Sequence, residues 1–518
     1  MTHREVLEAL SGLMVAMFVA MLSSTVVTNA LPRIVTDLEG TESGYTWVVV
    51  ATLLTMTATT PIWGKLADLF SKKALVQISL LIYLAGSLVA GLAPSMGVLI
   101  GARAIQGVGV GGLTALVQVV IATIVAPRER GRYFGYLGVS FAMATVSGPL
   151  IGGLIVDTPW LGWRWTFFVG VPFAALAFVV LQKTLHLPVV KRRVSIDYLG
   201  ALLISAGVSV LLIWVSLAGS RFEWQSFTTT WMVSLGVVLL LAFVYVEGRV
   251  EEPLIPLRLF RDRTTSLAVF ASVMVGVAMF GSTVFLSQYF QVARGMSPTN
   301  AGLMSLAMVG GLLVSGMLSG RLISRTGRTK RYLVAGAVLI VLGLGLLSTI
   351  DASIGLVQVG LFMAVLGVGV GAVNQNLVLV VQNNAAQKDV GAASSLAAFF
   401  RTMGGSIGVS ALGTALGHRV GSGVREGLAR LGVTPPAEGG ATTIPDLATL
   451  PAPVREVFEA AFADATGHIF WLSAPFAVLA LLAILMIREV PLRTTIERAD
   501  ELPAAAAPTR PVAQPVAS

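Results

Sequence analysis

Apolar positions along this chain fall in long runs free of charge, separated by connectors that hold nearly all the lysines and arginines. Twelve runs carry no charged residue: 9–32, 43–64, 74–102, 133–156, 165–182, 198–220, 224–246, 264–293, 295–320, 332–350, 352–387 and 469–487. The runs 99–127 and 391–417 each contain one arginine, Arg103 and Arg401, and 352–387 is longer than one crossing needs. A helix of ~20 apolar residues spans a bilayer core, so the pattern predicts fourteen transmembrane helices in an all-α integral membrane protein. The run 352–387 reads as one helix whose polar end is Gln382-Asn383-Asn384. The first run is expected to be a true span, because it is too long for a leader peptide and lacks a basic start.

The connectors alternate in charge. Those after spans 2, 4, 6, 8 and 10 hold clusters such as Lys65/Lys72/Lys73, Arg128/Arg130/Arg132 and Lys191/Arg192/Arg193, while the short connectors that alternate with them hold at most one basic residue each. Positive connectors face the cytoplasm, so both termini are expected there. The connector 419–467 is the exception in length and is expected outside as a long loop. Within it Val454, Val457, Phe458, Ala461 and Phe462 recur at helical spacing, which suggests a short amphipathic helix on the outer surface or over a cavity, or else an incidental loop. The segment 491–518 reads as a disordered cytoplasmic tail.

Composition agrees. The chain has 518 residues, 55% of them apolar and only 12% charged, with a mean hydropathy of +0.84; soluble domains carry about 25% charge. The formal charge of +9 is spread over the connectors, which fits membrane topology rather than nucleic-acid binding. With no cysteine and four scattered histidines, thiol chemistry is excluded and a metal cluster is not expected.

An internal repeat organises the spans. Gly64-Lys-Leu-Ala-Asp68-Leu-Phe-Ser-Lys72-Lys73 after span 2 is matched by Gly320-Arg-Leu-Ile-Ser324-Arg-Thr-Gly327-Arg328 after span 10. Spans 1–6 and 9–14 therefore form two related bundles, with spans 7 and 8 inserted. The divisions fall at 1–190, 191–262, 263–490 and 491–518. Two related bundles meeting at a central polar path is a transporter architecture.

Several motifs occur in order along the chain: Gly64-x-Leu66-Ala67-Asp68-x-x-Ser71-Lys72-Lys73, Leu99-x-x-x-Arg103-x-x-Gln106-Gly107, Gly148-Pro149-x-x-Gly152-Gly153, Trp163-Arg164-Trp165-x-Phe167-Phe168 and Phe400-Arg401-x-x-Gly404-Gly405-x-x-Gly408. Together they resemble the major facilitator superfamily, and specifically its fourteen-helix drug/proton antiporters. The resemblance implies the major facilitator fold and proton-coupled efflux of drugs or other amphipathic molecules by alternating access. It implies no cofactor, a proton gradient as energy source, a bacterial inner-membrane location and a monomer in the bilayer without nucleic-acid partners. A carrier for one metabolite or lipid is the alternative within the fold; a membrane enzyme would need clustered acids or histidines at the interface, and none is apparent. The chain departs from the family at Ser23, where an acid is usual, at Thr28, where asparagine is usual, and at Ser71, where glycine is usual.

For transport and coupling the candidates are Asp68, Arg103, Arg128 and Arg132. Asp68 is expected to pair with Arg128 or Arg132, or to cap a helix N-terminus such as that near Gly391. Arg103 is expected either to orient Thr28, Asn29 and Gln106 and set the charge of the path, or to be structurally paired. Gly64, Gly107, Gly148, Pro149, Gly152 and Gly153 form the conformational motif: Gly107 and Gly111 share a face for close helix approach, and Pro149 removes a helical hydrogen bond. Although Gly107-x-Gly109-x-x-Gly112 spells a dinucleotide fingerprint, it lacks the strand before it and is rejected as one. Candidates for the substrate path are Ser23, Thr28, Asn29, Gln106, Gln288, Gln291, Asn374, Gln375, Asn376 and Arg401, each with an interhelical hydrogen bond as the competing role.

Overall fold

The structure, a computed structural model, describes residues 3–39, 42–158, 160–185, 197–219, 222–432 and 450–493. Within these the chain is helical and contains no β-strand. The first bundle comprises α1 (His3–Asp37), α2 (Glu42–Leu69), α3 (Lys72–Gly91), α4 (Met96–Ile124), α5 (Pro127–Asp157) and a sixth span made of α6 (Trp165–Phe168) and α7 (Gly170–Thr184). The inserted pair is α8 (Tyr198–Leu217) and α9 (Phe227–Glu247). The second bundle comprises α10 (Arg263–Gln288), a span broken into α11 (Pro298–Met304) and α12 (Leu306–Thr326), then α13 (Lys330–Leu347), α14 (Leu356–Asn384), α15 (Val390–Arg430) and α16 (Ala452–Met486). Thirteen of these spans are long and apolar enough to cross a membrane; α15, diluted by glycines, serines and Arg401, makes the fourteenth by its place among them.

Helix ends follow from local chemistry. Ser71 accepts from the Ala74 N–H and caps α3, which accounts for a serine at that point of the motif. Asp262 caps α10 in the same way, Pro127 opens α5 at its first turn, and Gly327 ends α12 in the left-handed conformation (φ 70°).

The repeat extends to packing. In the first bundle α1 packs on α5 and α7, and α4 lies between α2 and α3; in the second, α10 packs on α15 and α16, and α14 lies between α12 and α13. The sequence Gly-Val-Gly-Val-Gly explains the central helix of each half. Gly107 and Gly111 lie against the α2 backbone while Gly109 lies against α3; Gly367 and Gly371 lie against α12 while Gly369 lies against α13. Without side chains at these points three helices come close together. These glycines are packing positions. The bundles in turn meet along two equivalent seams, α2 with α15 and α5 with α12.

Arg103 belongs to the core of the first bundle. It is 3% exposed, donates from Nε to the Val48 carbonyl (3.2 Å) and from Nη1 to Gln106 Oε1 (2.5 Å), and Gln106 donates onward to Ser87 Oγ (2.8 Å). The arginine thereby ties α2, α3 and α4 together and orients Gln106, a contact that both readings of it share. The side chains of Thr28 and Asn29 lie outside the described set.

Two expectations are corrected. The connector 419–467 is no simple loop: α15 continues to Arg430 and α16 begins at Ala452, so both helices run on as a hairpin. The amphipathic stretch 454–462 is the first part of α16, and Gly423 and Gly427 let it approach through Ala461 and Val457. Residues 433–449 lie outside the described ones. The tail also begins later than expected, because Pro491–Arg493 is docked: the Arg493 N–H donates to Asn383 Oδ1 and the Arg128 N–H to the Arg493 carbonyl.

Two tests follow. A Cβ at Gly423 would lie 3.1 Å from that of Ala461, close to the separation a disulfide requires. Gly423→Cys with Ala461→Cys, in this cysteine-free chain, should cross-link under mild oxidation; a pair that stays reduced would contradict the hairpin. Arg103→Lys keeps a donor but replaces the fork, whose Nε and Nη1 each serve one acceptor, by a single nitrogen on a flexible stem. It should lower stability by about 1–3 kcal/mol, read by thermal unfolding in detergent, while the relative binding of different substrates stays unchanged.

Candidate functional site

Midway along the helices the bundles enclose a cavity of about 150 Å³. Spans α1, α2, α4 and α5 contribute from one side and α10, α12, α14 and α15 from the other. The first bundle supplies an apolar wall of Met17, Met21, Met56, Phe134 and Phe141, together with Ser23, Thr114 and Gln118; the second supplies Met279, Phe280, Asn374, Gln375, Asn376, Arg401 and Thr402. Small-molecule sites usually offer about 300–1,000 Å³, so admission of a drug-sized molecule requires the bundles to separate.

Of the predicted path residues, Ser23, Asn374, Gln375, Asn376 and Arg401 line this cavity. Asn376 is also held by Ser319 Oγ (3.2 Å) and the Ala372 carbonyl (2.7 Å), an interhelical tie. Gln106 is spent on Arg103 and Ser87. Gln288 and Gln291 are not at the cavity: α10 faces it through Met279 and Phe280, about three turns earlier, and Gln288 is exposed. Arg103 is absent from the lining as well. It shares the helix face of Val110 but lies seven residues earlier, roughly 10 Å along the axis, under Val48. Tyr83 connects the two regions, its hydroxyl sitting beside Ser23, Ser87 and Gln106. Among the described residues the carbonyl oxygens of Gln118, Asn374 and Gln375 are buried without a hydrogen-bond partner.

At the end that carries the basic connectors the two bundles are joined. Asp68 accepts from the backbone N–H groups of Gly391 (2.8 Å) and Ala392 (2.9 Å), the first turn of α15. This is the helix-capping alternative. Neither Arg128 nor Arg132 partners Asp68: Arg128 donates to the carbonyls of Ser324 and Arg325 on α12, and Arg132 is exposed. Gly64 makes the capping contact possible, since a methyl group there would overlap Ser395 Oγ. The equivalent seam is tighter still: a methyl at Gly320 would overlap the Gly131 carbonyl. Gly148 packs α5 against Thr25 of α1, and α5 runs unbroken through Pro149 to Asp157, past Gly152 and Gly153.

Sequence reasoning missed Arg130. Only 1% exposed, it donates to the carbonyls of Val125 (2.9 Å) and Ala122 (2.5 Å) and to Gln382 Oε1 (3.2 Å), and Gln382 donates to Ser394 Oγ on α15. The signal was helical periodicity: residues two apart point to opposite sides of a helix, so Arg130 faces inward where Arg132 faces out. Also missed were Lys65–Glu252 (2.7 Å) and Arg258–Asp389 (2.8 Å), through which the connector after α9 grips α2 of one bundle and the start of α15 in the other. Among the described residues no cluster of histidine and carboxylate side chains is arranged to hold a metal ion.

Known proteins agree with this geometry. The chain is 34% identical over 497 residues (95% of this chain, 71% of the relative) to an uncharacterized MFS-type transporter of Mycobacterium tuberculosis. It is 31% identical to the multidrug transporter protein MdtP of Bacillus subtilis (80% and 76% covered) and 33% identical to the efflux pump dotC of Dothistroma septosporum (94% and 84% covered). In fold it is similar to the proton:xylose symporter XylE, with a TM-score of 0.61 over 94% of this chain and 97% of that one at 13% identity. It is also similar to the human organic anion transporter MFSD10, with a TM-score of 0.57 over 91% and 99% at 13% identity. The family description Major Facilitator Superfamily matches residues 13–409, and the chain belongs to that superfamily of multi-pass membrane transporters.

Proposed function

We propose that the protein is a proton-driven exporter of amphipathic small molecules that works by alternating access in a bacterial cell membrane. The observation that carries this reading is the mid-depth cavity between two equivalent bundles, joined at one end by contacts that cross from bundle to bundle. Relatives named as multidrug transporter and efflux pump support the direction and breadth of transport. The basic connectors assign the joined end, and both termini, to the cytoplasm. One polypeptide supplies both halves of the site, so a monomer suffices.

In this reading Asp68 is the latch. A carboxylate on the first amides of α15 forms charge-assisted bonds and complements the positive end of the helix. A proton on Asp68 removes the negative charge and one accepting oxygen, which favours separation of α2 from α15. Each proton entering down the membrane potential releases about 2.3 kcal/mol per 100 mV, enough to shift a two-state equilibrium about fifty-fold. No cofactor takes part.

Asp68→Asn keeps the shape but offers one oxygen for two N–H groups. Uptake into inside-out vesicles, which reads export, should fall at least tenfold while protein abundance and substrate binding stay within about twofold. Normal export at normal abundance would remove Asp68 from the mechanism. Orientation has its own test: Arg321→Cys, exposed at the basic end, should react with an impermeant maleimide in inside-out vesicles and not in intact cells. The reverse pattern would invert the proposed topology.

A further inference from the structure

Arg401 is the cation of the cavity. It lies deep within the molecule on α15, and the surface it retains faces the cavity. Arg103 and Arg130 are each held by carbonyl groups. No side-chain hydrogen bond or ion pair engages Arg401, and among the described residues no carboxylate lines the cavity. Across the cavity the first bundle offers Ser23, a neutral hydroxyl. An arginine inside a membrane protein is costly unless it meets a polar cavity or a counter-charge, and such residues mark substrate paths.

The surroundings of Arg401 are asymmetric. Gly131 and Gly391, at the equivalent crossings of α5 and α15, are 260 positions apart, and the same offset of 260 relates Phe141 to Arg401. The repeat therefore sets an aromatic ring on one wall where it sets a guanidinium on the other. Phe134, Phe141, Met17 and Met21 form the apolar side; Asn374, Gln375 and Thr402 are polar residues of the wall that carries the charge. The amides of Asn374 and Gln375 have N–H donors as well as the unpartnered oxygens. A molecule that satisfies this site has a flat or flexible apolar body and one compact anionic head.

We propose that the cavity selects amphipathic organic anions, carboxylates above all, and that Arg401 is the residue that binds the anionic head. The guanidinium presents a planar fork suited to both oxygens of a carboxylate, Asn374 and Gln375 accept or donate at its flank, and the aromatic and methionine wall takes the body. This deepens the exporter reading and rests on it for the cavity's use, although selectivity of binding is measurable without transport. Arg401, being fixed in charge, selects the substrate; the titrating step stays at Asp68.

The test is equilibrium binding to the purified full-length protein in detergent, using 1-naphthaleneacetate, its neutral amide 1-naphthaleneacetamide and the cation (1-naphthylmethyl)trimethylammonium. The unmodified protein should bind the acetate at least tenfold more tightly than the amide, and the cation most weakly. Arg401→Gln should weaken acetate binding at least tenfold and change amide binding less than threefold, with Arg401→Lys between them. Equal affinity for acetate and amide in the unmodified protein, tighter binding of the cation, or no binding of the acetate overturns the proposal even if no variant folds. Acetate selectivity that survives Arg401→Gln overturns the assignment to Arg401. Vesicle export of the acetate, measured with and without a proton gradient, separately decides the exporter reading: selective binding without gradient-dependent export would leave the anion site standing and refute the direction or the coupling.

Discussion

Two hydrogen bonds from the start of α15 to the Asp68 carboxylate hold one bundle to the other. A helix leaves its first N–H groups without partners, and in a membrane protein such groups must be satisfied from within the structure. Here the second bundle leaves them open and the first bundle fills them. The contact needs a close crossing, which Gly64 and Gly391 allow, since a Cβ on either would strike the other helix or Asp68 itself. The capping bond and the glycine crossing are therefore one device: losing either opens the same seam.

The rest of the basic end is built around that device. The α5–α12 seam repeats its geometry with Gly131 and Gly320; Arg128 fastens it through carbonyl oxygens of α12, and Arg130 ties α5 to Gln382 of α14 beside it. The connector after the inserted pair joins both bundles at once through Lys65–Glu252 and Arg258–Asp389, and Pro491–Arg493 crosses beneath them. Most of these ties are surface or half-buried polar contacts, each contributing little alone. Such a set suits a seam that has to open and close, whereas the glycine-packed cores of α4 and α14 suit bundles that move as rigid bodies.

The alternation of charge-free runs and basic connectors made the spans, the inserted pair and the repeat legible, because bilayer thickness constrains sequence directly. Connectivity after the thirteenth span was not legible in the same way. Charges at Arg455, Glu456, Glu459 and Asp464 end the apolar run, yet the helix continues through them, since leaving the bilayer does not end a helix. The two arginines within spans show the other limit. Sequence marks both as costly and does not say which is satisfied: Arg103 finds a carbonyl on α2 and a glutamine one turn on, whereas Arg401 finds the cavity. Those partners come from helices far away in the chain. Asp68 was recognisable by motif, but the choice between arginine side chains and helix amides depended on where α15 begins.

The central claim is that the Asp68 bonds to α15 set the population of the state closed at the basic end. Spin labels at Arg132→Cys and Arg321→Cys, exposed neighbours across the α5–α12 seam, report that population as a distance distribution in nanodiscs. A single short distance should dominate in the otherwise unmodified protein, and a longer one should become the major population when Asp68→Asn is added, although the substitution lies on the other seam. A short distance that Asp68→Asn leaves unchanged would contradict the account.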